Sequence, residues 1–121
     1  MRRTLFALVA VLALAGAACS SDSSTPSGNG ACTADAATAS DSVTIAGFAF
    51  DPNCFTVSAG ATISLSNEDD VTHSFTLDDS SADVSVDVDG GGSGEATAPN
   101  AGTYPFHCRF HSQMTGTLIV T

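Results

Sequence analysis

Tyr104-Pro105-Phe106-His107-Cys108-Arg109-Phe110-His111-Ser112-Gln113-Met114-Thr115-Gly116-Thr117-Leu118-Ile119-Val120 is the stretch of this 121-residue chain on which the fold turns. Residues 103–108 and 115–120 are β-prone runs, and Pro105, which has no N–H to give a ladder, is confined to an outward-facing slot. Between the runs, Cys108, His111 and Met114 recur at every third position in a connection and not on a helix. A loop joining two strands can gather such a set around one point. On the same strand His107 is the neighbour of Cys108, so its side chain faces the other way, outward, and is not counted with the set.

Upstream, short β-prone segments alternate with turn signals back to Ser42, at the spacing of a sandwich. Val43, Ile45, Phe48 and Phe50 form a first strand with a kink or bulge at Gly47, ending at the turn formers Asp51-Pro52-Asn53. Phe55 and Val57 begin the next. After Ser58-Ala59-Gly60, Ile63 and Leu65 alternate with hydroxyl residues and share one face. Asn67-Glu68-Asp69-Asp70 is a polar loop, residues 71–77 a strand, and residues 83–89 a strict alternation with the valines inward. Residues 90–94 are a flexible connection. Asp87 and Asp89 lack the full acceptor pattern of a calcium loop and mark an exposed strand end. With no long amphipathic helical pattern, one all-β domain is expected.

A second histidine, His73, lies in Val71-Thr72-His73-Ser74-Phe75, on a segment that a sandwich could bring beside the loop. Two imidazoles, a thiolate and a thioether make the donor set that selects copper in electron-transfer sites, with methionine as a weak axial donor. Zinc also suits Cys and two His, but Met114 would serve no purpose for it. One copper ion cycling between Cu+ and Cu2+ is expected, held by His73, Cys108, His111 and Met114.

The N-terminus has a different character. Met1-Arg2-Arg3 precedes an apolar run over residues 5–15, too short for a membrane span and suited to export. Ala15-Gly16-Ala17-Ala18-Cys19-Ser20 resembles a bacterial lipoprotein signal, although Gly16 stands where that pattern usually has Leu. The resemblance implies a signal over residues 1–18 and lipid attachment at Cys19; ordinary export cleavage, with Cys19 lost or left free, is the alternative. Residues 20–30 are Ser, Thr, Pro, Gly and Asn around a single Asp, a flexible tether with a reach of roughly 20 Å. All 13 acids follow residue 18 and only Arg109 among the basic residues does, so a chain starting at Cys19 has a formal charge of −12. Such a surface repels nucleic acid and anionic headgroups and attracts a basic protein; the same excess also serves solubility.

Phe106-His107-Cys108-Arg109-Phe110-His111-Ser112-Gln113-Met114-Thr115-Gly116, with His73 upstream, resembles the cupredoxins, the type 1 blue copper proteins. Its C-x2-H-x2-M spacing is most similar to the amicyanin and plastocyanin-like members. Phe50-Asp51-Pro52 followed by Val57-Ser58-Ala59-Gly60, and Ala101-Gly102-Thr103-Tyr104, extend the likeness over most of residues 42–121. The resemblance implies an eight-stranded Greek-key β-sandwich over residues 31–121 with copper at one end, His73, Cys108 and His111 equatorial and Met114 axial. Ser74 stands where the family often has an Asn bridging the ligand loops, which implies a weaker or differently built support for Cys108. Phe110 replaces a common proline and adds an apolar side chain beside His111.

With Cys19 lipidated and Cys108 on the metal, Cys32 and Cys54 remain as a pair in an oxidising compartment, where a disulfide is expected. The leading expectation is a monomeric carrier of single electrons at the bacterial cell envelope, lipid-anchored outside the cytoplasm, with a basic, cytochrome-like redox partner and no catalytic site of its own. A copper storage or delivery protein is the alternative. Such proteins expose Met-rich or His-rich surfaces, and here Met1 and Met114 are the only methionines.

Overall fold

A computed structural model describes residues 31–121. The expected export signal, Cys19 and the expected tether lie outside them. Alternation of apolar and polar residues generates the strands, in chain order β1 (Thr38–Ala39), β2 (Ser42–Ala46), β3 (Ala49–Asp51), β4 (Cys54–Val57), β5 (Thr62–Asn67), β6 (His73–Leu77), β7 (Ser85–Val88), β8 (Ser93–Thr97), β9 (Gly102–Cys108) and β10 (His111–Val120). They form a six-stranded sheet, β1-β4-β10-β9-β6-β7, and a four-stranded sheet, β3-β2-β5-β8. The eight strands of the resemblance become ten because the two-residue β1 adds an edge and the expected first strand divides in two.

Between the sheets lies an apolar core. The four-stranded sheet contributes Val43, Ile45, Phe50, Ile63, Leu65 and Ala96, and the six-stranded sheet contributes Phe55, Val57, Phe75, Leu77, Phe106 and Leu118. Phe106 stands at its centre, with ring centroids 4.7 Å from Phe75, 5.0 Å from Phe50 and 5.8 Å from Phe55. Each such pair adds about 0.5–1.5 kcal/mol beyond the area it buries. Gly116 lets β10 cross this cluster: a Cβ there would stand 2.2 Å from the Phe106 ring and 2.6 Å from the Asn53 carbonyl oxygen.

Three details differ from the expectations. Gly47 is not a bulge. Gly47 and Phe48 both have φ of 59° and form a two-residue turn, after which β3 returns antiparallel to β2 with Ile45 opposite Phe50. For Phe48 this left-handed backbone costs on the order of 1–3 kcal/mol and needs outside support. Second, the flexible connection ends at Ser93, where β8 pairs antiparallel with β5. Ser-Gly-Glu-Ala-Thr has little β propensity of its own, and the strand exists because β5 offers a ladder and the core accepts Ala96. Third, residues 83–84 precede β7: a 3-10 turn at Ser80–Ala82, capped by the Asp79 carboxylate accepting from the Ser81 N–H, ends at Asp83 with φ 48°. The two Ser81 donors, its hydroxyl first and then its N–H, hold the Asp79 carboxyl below the usual carboxylate range.

Pro105 is exposed on β9, opposite Thr117. β6 pairs with β9 only at Thr76–His107 and Leu77–Phe106, so the ladder on that side is already ending when the proline is reached. Cys32 and Cys54 are joined by a disulfide, with Cα atoms 5.5 Å apart, which ties the N-terminal lead to the start of β4. β1 then runs parallel to β4.

Candidate metal centre

Four segments arrive at one end of the sandwich: the start of β6, the end of β9, the start of β10 and the β2–β3 turn. Arg109 and Phe110 make a tight turn that sets His111 directly opposite Cys108. Pairing then slips, because after His111 the next residue in register is Thr115, opposite His107. Ser112, Gln113 and Met114 are the extra length. This irregularity carries the Met114 side chain back inside, where it is buried in the core cluster with Cys108. The expected loop is thus a turn followed by a bulge within β10.

His73, fully buried, opens β6. Its Nδ1 lies 3.2 Å from Nδ1 of His111 and 3.8 Å from Cys108 Sγ, and the third side, His111 Nδ1 to Sγ, is 3.7 Å. An ion at the centre of a trigonal plane, about 2.0 Å from each nitrogen and 2.3 Å from sulfur, would give sides of about 3.5 and 3.7 Å. The triangle is of that size. Two imidazoles and a thiol converging in an otherwise apolar end, with a thioether from the same hairpin, fit a soft metal held by mixed N and S donors.

Hydrogen bonds from outside the triangle hold two of its corners, His73 and Cys108. His73 Nε2 is 2.9 Å from Asp69 Oδ2, and the same carboxylate accepts from the N–H groups of Gly47 at 2.7 Å and Phe48 at 2.9 Å. The Phe48 N–H is the largest influence holding the Asp69 carboxyl below its ordinary range; the Gly47 N–H and His73 act the same way, and burial opposes them. An ionised Asp69 only accepts, so the His73 proton sits on Nε2 and the Nδ1 lone pair faces the triangle. Asn67, buried at the end of β5, shapes the loop that carries Asp69. Its side-chain NH2 donates to the carbonyls of Val71, Val88 and Asp89, and its Oδ1 accepts from the Asp69 N–H.

Ser74 does what the expected Asn would do, by other atoms. Its N–H donates to Cys108 Sγ at 3.3 Å, and its Oγ accepts from the Arg109 N–H at 2.9 Å, so one residue bridges both ligand segments. Ser74 Oγ also meets Thr76 Oγ1 at 3.0 Å, which meets Ser85 Oγ at 2.9 Å. His107 is half-exposed on the outer face and pairs with Asp78. Arg109 pairs with Asp87 and lies over the Phe110 ring, 5.0 Å from its centroid.

Asp69 and Phe48 were not visible as site residues in the sequence. Asp69 is one acid in Glu68-Asp69-Asp70, and Phe48 has the look of a strand residue beside the kink or bulge expected at Gly47. In the structure the exposed Phe48 ring stands edge-on to both imidazoles, 5.2 Å from His73 and 4.9 Å from His111 between centroids.

Residues 5–120 match the family model of the cupredoxin-like domain, and the chain belongs to that family. Among solved structures it is similar to the Cu(I) form of an amicyanin variant, at 22% identity and a TM-score of 0.59 over 70% of this chain and 85% of that one. A fern plastocyanin is similar at 26% identity and a TM-score of 0.59, over 66% of this chain and 99% of that one. A purple cupredoxin from Nitrosopumilus maritimus shares 19% identity with a TM-score of 0.54, over 66% of this chain and 98% of that one. Curated proteins include no match.

Replacing Ser74 by Ala leaves the Arg109 N–H without its acceptor while sparing the backbone bond to sulfur. Ser74→Ala is expected to destabilise the metal-free domain by about 1–3 kcal/mol, read as a lower urea midpoint at unchanged slope. An unchanged midpoint would mean that water replaces the hydroxyl without cost.

Proposed function

We propose that this cupredoxin binds one copper ion through His73, Cys108, His111 and Met114 and carries single electrons between protein partners, without a catalytic site of its own. The observation that carries this reading is the triangle of two Nδ1 atoms and one Sγ, with Met114 buried on the strand that starts at His111. Bound copper would supply a one-electron couple between Cu+ and Cu2+. The protein supplies rigidity: Asp69 holds His73, Ser74 holds Cys108 and the Arg109 backbone, and the β9–β10 hairpin holds His111, so the donors need move little as charge changes. Three histidines in the whole chain, two of them in the triangle, leave no set for the further copper site an oxidase needs. Burial of His73, Cys108 and Met114 also suits retention of a metal better than its hand-over.

Electrons would pass through His111, which is half-buried and flanked by exposed Phe48 and Phe110. The charge of −12 calls for a basic, cytochrome-like partner. Asp78 and Asp87 are already paired with His107 and Arg109, so steering falls to Asp79, Asp83 and Asp89, which have no cationic partner among the described residues. The setting is the bacterial cell envelope: an exported monomer, facing outside the cytoplasm and held to the membrane by lipid on Cys19 alone.

The purified protein is expected to take up one copper per chain and to be intensely blue when oxidised. Cys108→Ser should abolish the colour, while Met114→Leu should keep it and raise the potential, since loss of a weak axial donor disfavours the cupric state. A colourless cupric protein would sink the assignment.

Stopped-flow electron transfer to a basic cytochrome should slow as salt shortens the screening length to about 10 Å at 0.1 M, whereas transfer to an uncharged small oxidant should hardly change. Equal responses, or a cytochrome rate untouched by changing Asp79, Asp83 and Asp89 to Asn, would make the acidic surface a solubility feature. Mass spectrometry of protein from bacterial membranes should find a diacylglyceryl group on Cys19 as the first residue; any other mature start removes the anchor.

A further inference from the structure

The β2–β3 turn spends its least comfortable residue at the metal end. A glycine would sit at φ 59° without strain, yet the second turn position is a phenylalanine, 44% exposed, whose ring no core residue needs. The ring is placed edge-on against both imidazoles, whose Nδ1 atoms line the triangle with Cys108 Sγ. The Asp69 carboxylate holds it there by accepting both turn N–H groups, and a single oxygen of that carboxylate serves the Phe48 N–H and His73 Nε2 together. Ring, turn and ligand are therefore fastened at one point.

We propose that Phe48 is a shutter, latched by Asp69, that closes the solvent route between His73 and His111 and denies small molecules access to the Cys108 sulfur and to a metal beside it. Phe48 and Asp69 are positioning and shielding residues, and neither is a ligand. Cys108 is the one free thiol among the described residues and is almost fully buried, in keeping with a closed route. The part of the inference that concerns a metal rests on the copper reading; the part that concerns the thiol does not.

The test exploits that difference. In the metal-free full chain, alkylation of Cys108 by iodoacetamide is followed by peptide mass mapping, which separates it from any reaction at Cys19. Phe48→Gly removes the ring and also the backbone strain, so the fold should resist denaturant better while Cys108 reacts about tenfold faster or more; a faster reaction in a more stable protein cannot come from unfolding. Phe48→Tyr, which keeps an aromatic edge, should react as the wild type does. Asp69→Asn should accelerate alkylation too, and should speed hydrogen exchange at the Gly47 and Phe48 amides. Equal alkylation rates in the wild type and Phe48→Gly would overturn the shutter; a wild-type rate in Asp69→Asn would overturn the latch. Azide added to the copper-loaded proteins gives the second arm. A spectral change should appear in Phe48→Gly at azide concentrations that leave the wild type and Phe48→Tyr unaltered, and identical titrations would overturn the shielding of the metal. Should the wild type take up no copper at all, it is the metal assignment that fails, and the thiol rates still decide the shutter.

Discussion

Polar groups brought into an apolar end must find partners there, and this requirement organises the molecule. His73, Ser74, Asn67 and Cys108 are all buried where two sheets of aliphatic and aromatic side chains meet. A lost partner at such a position costs about 1–3 kcal/mol, a large share of the stability of a small domain. Among the described residues every buried side-chain nitrogen and oxygen has a partner. The partners are mostly backbone groups from distant segments: Asn67 reaches Val88, Ser74 Oγ receives Arg109, and Asp69 receives Gly47 and Phe48. Satisfying the centre therefore ties together β2–β3, the loop before β6, β7 and the β9–β10 hairpin.

The meeting of His73, Cys108 and His111 was legible because rare residues carry it. Three histidines and four cysteines occur in the chain, and C-x2-H-x2-M with a histidine upstream leaves few alternatives. Strands with a clean alternation, such as Thr62–Asn67, were legible for the same kind of reason: one face had to be buried. The disulfide followed from counting, since two cysteines were left over once Cys19 and Cys108 were given their expected roles.

What escaped the sequence was everything decided by context. Phe48 reads as a strand residue because its neighbours Ile45 and Phe50 are core residues; its turn conformation exists only because Asp69, 21 positions later, supplies acceptors. Asp69 in turn is chemically indistinguishable from Glu68 and Asp70 until the loop is folded around Asn67. β8 has almost no propensity, and becomes a strand by borrowing the ladder of β5. Ser74 carried a clear local signal as a departure from the family's Asn, yet its two separate contacts, N–H to sulfur and Oγ to the Arg109 N–H, could be seen only in three dimensions.

The Cys32–Cys54 bond also has a mechanical consequence. A pull on the N-terminal lead reaches Cys32 and crosses the disulfide directly into the start of β4, which is laid parallel against β10. The covalent loop that this bond closes, between cysteines 22 positions apart, contains β1, β2, β3 and the Gly47–Phe48 turn, and lies off the direct covalent path from Cys32 to Cys54. If the far end of β10 were held, the force would load the parallel β4–β10 ladder in shear, the direction in which its hydrogen bonds resist together and not one at a time. Force entering by the lead would thus bypass the loop that carries Phe48.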